Sequence, residues 1–157
     1  MNKIINNSIK QLKGRYGLVP IGTGGGNIED KSQCESVSFQ LYHKITKEEA
    51  RILLVEVIEL ILQNINNDNK ISPYLYNVPF TYKNLEVRIF ILNKDASGTF
   101  EPDLGLVSLT PRGTLSFVTY ELGPLCKRSS YIQEPYEEAY KIVTQKDYPH
   151  NFLEIKD

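Results

Sequence analysis

At 157 residues the chain is long enough to bury one proper core, and its ordinary composition, 41% hydrophobic and 24% charged, belongs to a globular domain. A formal net charge of -1 gives no electrostatic reason to expect a nucleic-acid backbone or an anionic membrane as partner. Two cysteines, Cys34 and Cys126, form no CxxC pair and are too few for a disulfide scaffold, so reduced thiols and a cytoplasmic location are the expectation.

Residues 1–16 are polar and mildly basic, with Ile4, Ile5, Ile9 and Leu12 at helical spacing. The run is short for independent stability and reads as a docking arm or a frayed end. The following segment, GLVPIGTGGGN, has the glycines of a phosphate loop but matches neither GxxxxGK[ST] nor GxGxxG, and no strong helix begins after it. Residues 1–33 are therefore expected to form an arm with a glycine-rich linker, before a single domain at 34–148 and a tail at 149–157.

The first clear strand is 37–45. Val37, Phe39, Leu41, His43 and Ile45 alternate with Ser38, Gln40, Tyr42 and Lys44, which predicts one buried and one wetter face. The strongest element follows at 46–65, TKEEARILLVEVIELILQNI. Thr46 and Glu49 form a capping box, and Ala50, Leu53, Leu54, Val57, Ile58, Ile61 and Ile65 give a wide apolar face. Arg51, Glu56 and Glu59 interrupt the helix too often for a membrane span. Glu56 and Glu59 are placed on an exposed stripe rather than in a catalytic carboxylate pair.

Residues 71–84 carry Tyr74, Tyr76, Phe80 and Tyr82 around two prolines, which argues for an ordered aromatic loop. A second strand, 85–92, alternates Leu85, Val87, Ile89 and Ile91 with Glu86, Arg88, Phe90 and Leu92. In the loop 93–104, Asn93, Asp95 and Ser97 fall at calcium-loop positions, but Leu104 stands where the bidentate carboxylate belongs, so Asx-turn chemistry explains it better. A hairpin is expected at 106–120 around Pro111 and Gly113, then a breaking loop at 122–130, then a helix from 135 to 145 with Pro135 at its start.

The order strand, helix, strand, strand, strand, helix predicts an α+β fold: about four antiparallel strands with both helices on one face. No GxSxG, HExxH or Cys–His pattern is present, and His43, His150 and the cysteines share no metal-ligand spacing, so neither a metal nor a cofactor is expected. The best functional reading is a non-catalytic domain that binds a protein or a small ligand. Its contacts are Tyr42, Arg88, Phe90 and Tyr120 on the open sheet face, together with Tyr74 and Tyr76 in the aromatic loop; the partner is another protein or a second copy of the chain. The alternative is a small enzyme with His43 as its acid or base.

Overall fold

The computed structural model describes residues 1–145; the tail at 149–157, with His150, lies outside them. Among the described residues three α-helices and six strands form one α+β arrangement: α1 Asn2–Tyr16, β1 Val19–Ile28, β2 Lys31–Leu41, α2 Lys47–Asn66, β3 Leu85–Ile91, β4 Leu106–Thr110, β5 Thr114–Tyr120, β6 Arg128–Pro135 and α3 Tyr136–Gln145. The strands make a single sheet in sequence order, β1-β2-β3-β4-β5-β6. Among the described residues no helix is long and apolar enough to cross a membrane.

The α+β class matches the expectation, but the sheet is mixed and has six strands rather than about four antiparallel ones. β2 and β3 run parallel, while every other neighbouring pair is antiparallel. The reason is α2. A helix between two adjacent strands returns the chain to the end where the first strand began, and adjacent strands joined this way are parallel.

Rows of apolar side chains cross the sheet beneath the helices. Val37, Val87, Leu109 and Leu115 stand in register, and so do Phe39, Ile89, Val107 and Phe117, all of them buried. Against these rows α2 sets Leu53, Leu54, Ile58 and Ile61. Its start is capped as expected: the Thr46 hydroxyl accepts from the Glu49 amide at 3.2 Å, and the Glu49 carboxylate accepts from the Thr46 amide at 2.7 Å.

The stripe expected to be wet has a different use. Glu56 accepts a hydrogen bond from Tyr16 of α1, and Glu59 accepts one from Tyr136 of α3. The two carboxylates thus tie a helix to each side of α2, and their separate tyrosine partners account for them without catalysis. Burial and the adjacent carboxylate both push each tyrosine hydroxyl well above its usual range.

The N-terminal segment is a docked helix. Ile5, Leu12 and Tyr16 are buried at helical spacing, and Ser8 accepts from the Asn64 side chain at 2.9 Å. Gly17 ends the helix in the left-handed conformation, φ 68°. The glycine-rich stretch expected as a linker is strand β1, paired along its length with β2. Glu29 and Asp30 join the two strands with φ of 48° and 62°, the backbone sign that short hairpin turns require.

Candidate functional site

The sheet's buried face does not end where the apolar residues end. On β2, Glu35 lies two residues before Val37 and shares the alternation of Val37, Phe39 and Leu41, so it points to the helix side. Beyond the edge of the packed core this side opens into a cleft of about 890 Å³. The N-terminal end of α1 contributes Asn2, Ile5 and Asn6 to it, and the β1–β2 hairpin contributes Thr23, Asn27 and Asp30. Ser32 and Glu35 form part of its wall, and Tyr74 closes one side.

Local geometry explains how these groups meet. Glu35 pairs with Gly25 across the hairpin. A Cβ on Gly25 would lie 3.1 Å from Glu35 Oε2 and 3.0 Å from the Cys34 carbonyl oxygen, so the missing side chain is the space in which the carboxylate rests. Ser32 Oγ donates to Glu35 Oε1 at 2.6 Å. The carbonyl of the same serine accepts from the Tyr76 amide at 2.8 Å, which ties the tyrosine loop to the strand bearing the carboxylate.

The rest of that loop is held by amide side chains. Asn66 brackets the Phe80 backbone with two bonds of 2.8 Å. Asn84 donates to the Gln33 carbonyl at 2.9 Å and to Asn77 Oδ1 at 2.8 Å. The loop is therefore held in place, with Phe80 buried and Tyr74, its aromatic contribution to the cleft, 61% exposed.

Glu35 is only 9% exposed. Burial raises its carboxyl above the usual carboxylate range, while the Ser32 hydrogen bond and then the Met1 amino group act in the opposite direction. No lysine, arginine or histidine is among the cleft-lining residues described; the charged side chains there are Glu35 and Asp30, and Met1 brings its α-amino group to the same lining.

The residues expected to form one binding surface are divided between two. Arg88, Phe90 and Tyr120 lie on the sheet face away from the helices. Phe90, Leu106, Val118 and Tyr131 make a continuous row across four strands there. Arg88 is ion-paired with Glu86, and Tyr42 donates to Gln40 Oε1 at 2.8 Å. Tyr120 lies flat over Gly105, where a Cβ would come within 2.6 Å of its ring. A groove of about 480 Å³ runs beside Tyr120, Arg128 and Tyr131. Tyr74 belongs to the cleft on the helix side, and Tyr76 is exposed nearby without lining it.

His43 falls in neither place. The strand expected to reach residue 45 ends at Leu41, which leaves His43 exposed in the connection to α2. Both cysteines are free thiols; Cys34 is half-buried, and burial pushes its thiol up, while Cys126 is exposed. Among the described residues no three His, Cys, Asp or Glu side chains converge as a metal would need. In the loop after β3, Asp95 Oδ1 accepts from the Ser97 amide at 3.0 Å and from its hydroxyl at 2.6 Å, the Asx-turn pattern of a strand connection.

Sequence reasoning missed Glu35. Its signal is parity: counting back by two from Leu41 reaches Phe39, Val37 and then a carboxylate on the buried face. No protein-family model matches the chain, and neither a curated protein nor a solved structure matches it.

Proposed function

We propose that the protein is a non-catalytic binding domain that holds a small polar ligand in the cleft between α1, the glycine-rich hairpin and the tyrosine loop. The observation that carries this reading is the buried Glu35 carboxylate facing a cavity of about 890 Å³. Concave sites with a few convergent polar groups and a titratable residue shifted by burial are where small ligands bind. The surrounding amides and hydroxyls of Asn2, Asn6, Asn27, Thr23 and Ser32 offer both donors and acceptors, so such a ligand is oriented by hydrogen bonds.

The test is amide chemical-shift mapping with three small probes of different charge: agmatine, glucose and succinate. The reading expects at least one of them to shift Gly24, Gly25, Asn27 and Ser32 together, and Tyr74→Ala to weaken that response. If no probe moves these amides, the cleft is not a ligand site.

A second reading, a protein contact on the open sheet face, is favoured by Leu122 and Leu125. They are 80% and 74% exposed in the β5–β6 loop beside the groove at Tyr120 and Arg128. A second copy of the chain is the partner proposed, because β6 is an exposed sheet edge carrying Tyr131 and Ile132 next to that loop. Light scattering over a concentration series should then show a dimer that Leu122→Ser with Leu125→Ser dissociates. A monomer at all concentrations removes this reading.

A further inference from the structure

Resting on the small-ligand reading, we infer that the cleft selects a ligand carrying a cationic nitrogen, an alkylammonium or guanidinium group, with Glu35 as its counter-ion and Tyr74 as the aromatic wall at the rim. Three independent features point the same way. The first is charge. The side chains lining the cleft include two carboxylates, Glu35 and Asp30, and no basic side chain among the described residues; the Met1 α-amino group is the one cationic group of the lining. A carboxylate that is nine-tenths buried is costly unless a cation or several donors meet it. Within the protein, Glu35 receives one neutral hydroxyl, from Ser32, at Oε1.

The second feature is shape. Oε2 rests against the backbone of Gly25, while the Ser32 bond goes to Oε1. Oε2 is thus the carboxylate oxygen without a hydrogen bond from the protein. The fixed position of the Ser32 hydroxyl leaves Oε2 as the acceptor for a charge-assisted bond from the ligand.

The third is the ring. Tyr74 lines the same cleft and is 61% exposed, although its neighbours Leu75 and Phe80 are buried. An aromatic face beside a carboxylate attracts a cation through its quadrupole, while it gives an anion nothing. The Met1 amino group is the positive charge that Glu35 senses, and it ranks behind both burial and the Ser32 bond in its effect. A ligand nitrogen at hydrogen-bonding distance from Oε2 adds a direct charge-assisted bond there.

The experiment is the same shift mapping, read by class of probe and by variant. Agmatine, which has a guanidinium at one end and an ammonium at the other, is expected to shift the amides of Gly24, Gly25, Ser32 and Glu35. Glucose and succinate at equal concentration are expected to leave them in place. Glu35→Gln keeps the shape and the Ser32 contact but removes the charge, and it should weaken agmatine by about tenfold. Tyr74→Ala, at a surface position, should weaken it by about threefold. Asp30→Asn is compatible with the left-handed backbone there, φ 62°, and measures the part of the second carboxylate without disturbing the turn.

Agmatine binding that Glu35→Gln leaves unchanged overturns the inference, provided the circular dichroism of the variant is that of the wild type. Shifts of the cleft by glucose or succinate alone overturn it too, yet leave the small-ligand reading standing. Silence from all three probes removes both.

Discussion

Arg51 and Glu35 are buried to almost the same degree, 8% and 9% exposed, yet their surroundings are opposite. Arg51 on α2 forms a fork with Glu134 of β6, Nε to Oε1 at 2.6 Å and Nη2 to Oε2 at 2.9 Å, and its remaining nitrogen Nη1 meets Glu48. Those carboxylates raise its already high pKa, so it is a charge matched on both sides. Glu35 has one serine hydroxyl and a cleft. The contrast separates two reasons for burying a charge. Arg51 clamps the long helix to the last strand, at the end of the sheet far from the cleft. Glu35 has no comparable ionic partner on another element, and the recognition role proposed for it rests on that difference.

The comparison is broken most directly at the clamp. Arg51→Ala leaves Glu134 half-sequestered without its partner and should cost about 3–5 kcal/mol in urea unfolding. Arg51→Met combined with Glu134→Leu should recover most of that loss, because an apolar pair avoids the desolvation that the ions incur. A single-variant loss well under 1 kcal/mol would show the clamp to be solvated and would cancel the contrast. A smaller effect lies between the two extremes. Tyr136 is buried, stacked on Tyr82 with ring centroids 4.5 Å apart, and gives its hydroxyl to Glu59. Tyr136→Phe keeps the stack and removes one donor, so the expected loss is about 1 kcal/mol. No loss would mean that water replaces the hydroxyl at Glu59.

The legible parts of the fold are those where side-chain period carries the signal. The capped helix α2, the burial of Val37, Phe39, Leu41, Val87 and Ile89, and the turn at Gly113 all follow from spacing. β1 was hidden because a run of Gly24, Gly25 and Gly26 has no side chains to alternate; its strand state comes from pairing with β2, a tertiary effect. β6 was hidden for the complementary reason: as an edge strand its residues Arg128–Pro135 are mostly wet on both sides, so no apolar face marks it. The parallel pairing of β2 and β3 was readable from the strand–helix–strand order itself. At the site, Tyr74 was visible as an aromatic in a loop, whereas Glu35 sits in the polar run SQCES and is distinguished by parity alone. The cleft needs α1, the hairpin and the loop brought together, which no local window contains.

The smallest expected change, Glu35→Gln, is also the sharpest test of the contrast with Arg51. Burial raises the folded-state pKa of Glu35 above its unfolded value. Its protonated form therefore adds stability that is fully present below the unfolded pKa, about 4.3, and is lost as the pH rises through the folded pKa. Glutamine cannot titrate. Relative to wild type, the variant should gain stability as the pH is raised across that window, staying within roughly 1 kcal/mol of wild type throughout. The other charged groups near Glu35 are Asp30 and the Met1 amino group. Asp30→Asn with and without Glu35→Gln isolates the first. Urea curves at about pH 4 and about pH 7 give the sign. If glutamine instead loses stability toward neutral pH by more than about 2 kcal/mol, the carboxylate is stabilised by the fold as Arg51 is, and its place in the cleft is structural.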